Sequence, residues 1–510
     1  MCSAQVWQRY CGTAAKAGGQ QRTQTSAWSQ VTAWSKARTV PSRMVWVNEK
    51  VSRSFGLMDI TQQSKQLRLN FTGTLEAPLP ASSEMSIAAD YSKRLTEQQQ
   101  LLEMILERAN MWDAYKRVQK NDGAPGVDGM TVKQAGKYLR RHWLKLRAAI
   151  INGTYRPLPV RRKEIDKPDG GVRLLGIPAV IDRVIQQAIA QVLGYIWEPE
   201  FSDSSFGFRP GRSQHDAIEH AKGLIEQGYR NIVDLDLEKF FDRVNHDRLM
   251  SRLATRITDK RALTLIRHCL NSGILIGGLV SPTEEGVPQG GPLSPLLSNV
   301  VLDELDKELE HRGHRFVRYA DDCVIYVRSH RAAGRVKASI SRFITRRLKL
   351  KVNEAKSAVS YPWWRKYLGF SFTSTRGNTR IRIHSKSFRR FRKRVHEITG
   401  RSRGRSLWQV IQELNDFTRG WWAYYRHAET RSFVRPLNYW IMRRLRALCW
   451  KQWKNYRTRI RELKKRGINH DAAVRAGCAR KGPWRMSRVK WVVMALPNAY
   501  FKSLGLYLLS

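Results

Sequence analysis

Two short strand-forming runs held four residues apart constrain this chain more than any other feature of it. Within Arg318-Tyr319-Ala320-Asp321-Asp322-Cys323-Val324-Ile325-Tyr326-Val327, adjacent aspartates stand between apolar, β-prone stretches: Phe316, Val317 and Tyr319 before, Val324 to Val327 after. So short a separation predicts a tight antiparallel hairpin whose turn holds both carboxylates. The two anions repel each other and lower local stability, a cost that a divalent cation removes. A solvated Asp-Asp turn with no function has the same local pattern, so the rest of the chain has to decide between them.

The chain has 510 residues, enough for two or three domains with real cores, and its 42% hydrophobic fraction is that of a globular protein. Its charge is unusual. Lys and Arg number 91 against 43 Asp and Glu, a formal +48 at pH 7. A field of that strength favours a polyanionic partner. Membrane surfaces compete for that role. However, no apolar stretch reaches the roughly 18–20 residues of a span, and the basic residues spread over whole domains. Nucleic acid is the favoured partner. Six scattered cysteines with no CxxC pair give neither a zinc site nor a disulfide framework, which fits a reducing compartment.

Three segments differ in character. Residues 1–90 lack helical periodicity and end in Ala77-Pro78-Leu79-Pro80-Ala81-Ser82-Ser83, so they read as a poorly ordered N-terminal extension. The first acidic residue is Glu49, and the Ser/Thr/Gln-rich stretch before it resembles a transit peptide in composition; Met85 is an alternative start. From Tyr91 to residue 372 helix and strand signals mix. Leu101, Leu102, Ile105, Leu106, Ala109, Trp112 and Tyr115 recur at helical spacing, and a Gly123–Gly129 loop follows. Residues 373–510 read as a basic helical domain. Between 361 and 510 stand 36 Lys/Arg against 6 Asp/Glu, and eight of the chain's 17 tryptophans lie between Trp408 and Trp491. Interleaved cations and aromatics suit phosphate contacts and base stacking, although most single tryptophans in such a domain are core anchors.

A second acidic cluster, Asp234-Leu235-Asp236-Leu237-Glu238, ends an alternating strand. Asp236 there can meet Asp321 and Asp322 across a sheet, and three such carboxylates would hold two Mg2+ ions, with Mn2+ a substitute, for nucleotidyl transfer. A third piece is Gly286-Val287-Pro288-Gln289-Gly290-Gly291-Pro292, which leads into a helix from Leu296 to Leu305. Paired glycines let backbone approach a ligand closely.

In this order the blocks resemble a reverse transcriptase of the group II intron maturase family, over about residues 91–500. Tyr319-Ala320-Asp321-Asp322 is similar to that family's YADD box, Pro288-Gln289-Gly290 to its PQG block, and Tyr367-Leu368-Gly369-Phe370 to the hairpin gripping the primer end. The fold implied is α+β: a right-hand polymerase with fingers and an antiparallel palm sheet, followed by an α-helical thumb or maturase domain. The resemblance makes Asp236, Asp321, Asp322 and Lys356 catalytic, the three aspartates as metal ligands. It places Arg173, Arg209, Phe241, Gln289 and Gly290 at the nucleotide and template, and Leu368 and Gly369 at the primer. Arg419, Trp421, Arg443 and Arg444 become RNA contacts of the segment around Leu414–Tyr425.

Phe241 stands five residues after Asp236, where related polymerases place a ring under the sugar; it would collide with a ribose 2′-OH and select deoxynucleotides. Phe240 is the competing candidate. Asp234 shares a strand face with Asp236, but the metal role goes to Asp236 because Phe240-Phe241-Asp242 then falls in the family register. The function implied is RNA-directed DNA synthesis on intron RNA after it enters target DNA, with deoxynucleoside triphosphates as substrates, together with help in splicing. A splicing-only RNA-binding maturase and a domesticated CRISPR-linked or defence reverse transcriptase are the alternatives. No cysteine-paired, histidine-bearing endonuclease segment follows residue 500, so the expectation is of a bacterial, cytoplasmic enzyme without that domain, or an organellar one if the N-terminus is a transit peptide.

Overall fold

The structure is a computed structural model that describes residues 100–166, 172–276, 279–281, 285–287, 290–375 and 377–510. The readings of residues 1–90, and the start of the mixed helix and strand segment at Tyr91, lie outside the described residues. All that is described falls in one compact unit.

The expected helix from Leu101 to Tyr115 is two: Leu101–Ile105 and Arg108–Asn121, broken at Leu106 and Glu107. The break turns Trp112 outward, 54% exposed, while Leu101, Leu102 and Ile105 are buried. A capping box at Thr131 starts the next helix, Val132–Ile151. Strands β1 (Val160–Asp166) and β2 (Val172–Ile177) pair antiparallel, and β4 (Ile274–Ile276) and β5 (Leu279–Ser281) extend them into a sheet of order β2-β1-β4-β5. The helix Val180–Trp197 packs behind, buried along most of its length.

The second sheet is antiparallel throughout: β6 (Arg315–Tyr319), β7 (Asp322–Val327), β3 (Asn231–Leu235) and β8 (Ala358–Ser360), in that order. Successive side chains of a strand point to opposite faces, and here both faces are covered. Val233, Leu235, Phe316, Cys323, Ile325 and Val327 join a large helical core on one side. Ile232, Val317, Val324 and Tyr326 face a smaller aromatic core containing Tyr367, Phe370 and Phe372. That second core is also lined by the helix Gln214–Glu226 and by the two-stranded ribbon β9 (Phe370–Phe372) and β10 (Ile381–Ile383).

From Ser385 onward the described chain is helical, beginning with Ser385–Ile398, Leu407–Tyr425 and Val434–Gln452 around a separate core that includes Trp422, Trp450 and Trp453. Among the described residues Cys269, Cys323 and Cys449 are buried free thiols and Cys478 an exposed one.

Candidate active site

The expected hairpin forms, with one change in where its charges sit. Tyr319 pairs with Asp322, so the turn is Ala320-Asp321 and the second carboxylate opens β7. Ala320 has φ +57, a left-handed conformation that side chains other than glycine, asparagine and aspartate adopt rarely. The β3–β7 ladder runs from Asn231↔Val327 to Leu235↔Cys323, so Asp236 and Asp322 each stand one residue beyond its last pair, near enough for the charge of Asp236 to act on Asp322. Alternation places Asp234, Asp236 and Asp322 on the face of Ile232, Val324 and Tyr326. A loop from another part of the chain fixes Asp236: its amide donates to the Ser357 hydroxyl at 3.0 Å. Its carbonyl accepts from the Asn353 amide at 2.8 Å.

Cations stand beside these acids. Asp234 is taken by Arg365, whose Nε donates to it at 2.7 Å while Nη2 donates to the Lys356 carbonyl at 2.8 Å. Lys356 itself, with 66% of its side chain exposed, stands 3.7 Å from Asp236. Crowding by protein and then the charges of Asp321, Asp234 and Asp236 lift the Asp322 carboxyl above the usual range. The Asp322 side chain still reaches solvent, so the three like charges are the firmer cause. Among the described residues no three carboxylate, imidazole or thiol groups already close on a common point. The donor chemistry nonetheless fits hard divalent cations: oxygen ligands only, excess negative charge, and access to water.

A buried network, unassigned by the sequence reading, holds the turn from beneath. Asn299 and Asp306 lie seven residues apart on one face of the helix Ser294–His311 and are buried. Arg318, with no solvent exposure, donates to both Asp306 oxygens, at 2.7 and 2.5 Å, to Asn299 Oδ1 at 3.0 Å and to the Ala320 carbonyl at 2.9 Å. Asn299 passes the connection on, donating to the Gly207 carbonyl at 2.8 Å. Gly207 presses so closely on the turn that a Cβ there would lie 2.2 Å from the Ala320 amide nitrogen. Ser294, Ser298 and Asp303 are also buried on this helix, so the Asn299–Asp306 pair had no distinct signal in the sequence.

Two family descriptions match this chain: Reverse transcriptase (RNA-dependent DNA polymerase) over residues 165–372, and Group II intron, maturase-specific domain over residues 388–467. The chain thus carries a reverse transcriptase domain followed by a group II intron maturase-specific domain. Among curated relatives, Protein YkfC of Escherichia coli is 39% identical over 44% of this chain and 60% of its own length. Group II intron-encoded protein LtrA of Lactococcus lactis is 29% identical over 52% of this chain and 55% of its own. The chain thus spans less than two thirds of either relative. A partial Cas6-RT-Cas1–Cas2 complex aligns over 48% of this chain and 42% of that chain at 24% identity with a TM-score of 0.31, too low to carry an argument.

In reverse transcriptase terms the four-stranded sheet corresponds to the palm, and the helical region beyond it carries the maturase-specific segment. Gly290, φ +130, packs against β2 so tightly that a Cβ would lie 2.5 Å from the Gly176 carbonyl oxygen. Gln289 lies outside the described residues. Arg173 pairs with Ile165 in β2, and nothing is described of its side chain. Of the two adjacent phenylalanines, Phe240 is core at 3% exposure and Phe241 is only partly buried, its ring 5.2 Å from that of Phe240.

Four sequence-derived positions are otherwise engaged. Arg209 is buried and donates to Glu198 at 2.8 Å and to the Ser202 and Ser205 carbonyls, so this guanidinium holds its own loop rather than a nucleotide. Trp421 packs among Phe391 and Tyr425, ring centroids 4.3 and 4.7 Å away, as a core anchor. Arg444 donates to the Thr399 hydroxyl at 2.5 Å and to the His396 carbonyl at 3.2 Å, closing the end of the helix Ser385–Ile398. Arg443 is partly buried, 3.6 Å over the Trp484 ring, and donates to the Ser487 hydroxyl at 3.3 Å and the Trp484 carbonyl at 3.1 Å, whereas Arg419 is exposed. Among the described residues no helix is long and apolar enough to cross a membrane.

Proposed function

We propose that this chain is an RNA-directed DNA polymerase that extends a DNA primer along group II intron RNA and also assists splicing of that intron. The observation that carries the reading is that Asp236 and Asp322 each stand one residue past the end of the β3–β7 ladder, their charges acting on one another, beside a two-residue turn that holds Asp321. Asp236, Asp321 and Asp322 would hold two Mg2+ ions, which when bound lower the pKa of the primer 3′-hydroxyl and neutralise charge on the triphosphate. The hydroxyl oxygen bonds to the α-phosphorus as the bond to pyrophosphate breaks, and the hydroxyl proton leaves.

The chain's own part is positioning and charge. Lys356, exposed next to Asp236, reaches toward the departing pyrophosphate. Arg173, Gln289 and Gly290 line the incoming nucleotide and template. The partly open ring of Phe241 lies beneath the sugar, so the product is DNA. Leu368 and Gly369 grip the primer, and Arg419 contacts intron RNA from the thumb. Excess cationic charge in this region supports RNA as its partner. Target DNA supplies the primer, and the setting is the cytoplasm of a bacterial cell.

Primer extension on poly(rA)/oligo(dT) with Mg2+ tests the enzyme. Incorporation is expected, with loss on Asp321→Ala; activity surviving that change removes the metal site. Binding assays with intron RNA test the second role, and the Asp321→Ala protein is expected to bind as the parent does. A splicing-only protein would bind RNA and extend nothing.

A further inference from the structure

The turn Tyr367-Leu368-Gly369-Phe370 closes with two reciprocal backbone bonds, Tyr367 N–H to Phe370 O at 3.0 Å and Phe370 N–H to Tyr367 O at 2.8 Å. Both central residues are left-handed, Leu368 at φ +47 and Gly369 at φ +91. Such a turn ordinarily carries Asn, Asp or Gly at its first central position. A branched leucine there stays in place only if its surroundings hold it.

The restraints come from the helical region. The Tyr424 hydroxyl donates to the Leu368 carbonyl at 2.6 Å. The Gly369 carbonyl accepts from the Ser387 hydroxyl at 2.8 Å and from the His384 amide at 3.1 Å. The Tyr425 hydroxyl crowds Gly369 so closely that a Cβ would lie 2.6 Å from it. The Tyr424 and Tyr425 rings flank Phe370, at 5.4 and 5.1 Å. Both tyrosines belong to the last turn of the helix Leu407–Tyr425, within the maturase-specific segment.

That helix acts as a strut, 19 residues and so about 28 Å long. Its far half is tied to the C-terminal segment through Asn415, which donates to the Gly505 carbonyl at 2.7 Å and accepts from the Tyr507 amide at 2.8 Å. Just beyond its near end, Glu429 accepts from Lys222 at 2.8 Å and from the Ile381 amide at 2.7 Å. Placement of the thumb is therefore passed to one strained palm turn, with the Tyr424 phenol supplying the side-chain bond to its first central residue.

We propose that Tyr424 is a positioning residue for the primer terminus, by which the maturase-specific helix sets the Leu368-Gly369 turn. This rests on reading that turn as the primer contact.

The test uses the full chain carrying Tyr424→Phe, which keeps the ring packing and removes only the donor. Primer–template affinity, nucleotide KM and binding of intron RNA without primer are measured, with melting temperature as a folding check. Loss of one neutral hydrogen bond predicts an approximately three- to tenfold rise in primer–template Kd. Nucleotide KM and primer-free RNA affinity stay within about twofold. Unchanged primer affinity, or equal loss in all three measurements, overturns the proposal. Gly369→Ala separates this from failure of the underlying reading. If it weakens primer binding while Tyr424→Phe does not, only the positioning role falls. If a folded Gly369→Ala protein binds primer as before, the turn is not the primer contact and both fall.

Discussion

A guanidinium sealed from water keeps its charge only where protein atoms replace the lost solvent. Arg318 meets that condition through Asp306, Asn299 and the Ala320 carbonyl. Burial alone would weaken its charge, and the paired carboxylate reverses that. Burial in turn raises Asp306, but the two-point geometry favours an ion pair. Removing one partner strands the other, so Asp306→Leu should cost about 3–5 kcal/mol in urea unfolding. The double change Arg318→Met with Asp306→Leu should cost less than Asp306→Leu alone. At Phe241 a different measurement applies: Ala in its place should raise ribonucleotide incorporation relative to deoxynucleotide, and unchanged discrimination would remove the ring from the sugar pocket. Asp234→Asn should reduce extension far less than Asp236→Asn, because Asp234 already has a cation in Arg365. The aspartates were legible from their adjacency and their strand context. The partners of Arg318 were not, because they lie 12 and 19 residues upstream on a helix whose buried face only tertiary packing defines.

Elements with a strong repeat were readable and short ones were not. β3, β6 and β7 carry alternating or continuous apolar runs, so the hairpin and its third strand were foreseeable. The three-residue strands β8, β9 and β10 are too short to show any period. The expected single helix near Leu101 failed for a related reason: helical spacing continues across a break that shows only in the fold, where Leu106 is buried and Trp112 exposed. At the start of the helix Val180–Trp197, Asp182 is 3% exposed, and burial lifts its carboxyl to about 6. The Tyr155 hydroxyl and the Leu158 amide donate to it and hold it down, while Asp128 adds to the rise. An acid whose folded pKa is raised stabilises the fold most below its unfolded value and loses that contribution as pH climbs through the folded one. Between about pH 4 and 7 this single group should therefore remove about 3 kcal/mol. Melting temperatures across that range should fall more steeply for the parent than for Asp182→Asn, and identical slopes would contradict the assignment.

Across the whole molecule, charge is partitioned rather than spread: the segment after residue 360 carries most of the excess. Composition made that legible, but not which cations are free to act. Arg444 is spent on Thr399, Arg209 on Glu198 and Arg443 on Ser487 and the Trp484 carbonyl, whereas Arg419 is exposed. Neutralising Arg419 should reduce the salt slope of single-stranded RNA binding by about 0.7, the value for one phosphate contact. Arg444→Ala should lower the melting temperature instead. The contact between Gly207 and the Ala320 amide has a consequence for mutational tolerance. Any β-carbon at 207 displaces the backbone that carries Asp321, whereas Gly223 has open space around it. In a library randomised at both positions and selected for cDNA synthesis, position 207 should return glycine alone, and position 223 a broad spectrum. The most restricted site in the palm would then be one with no functional group at all.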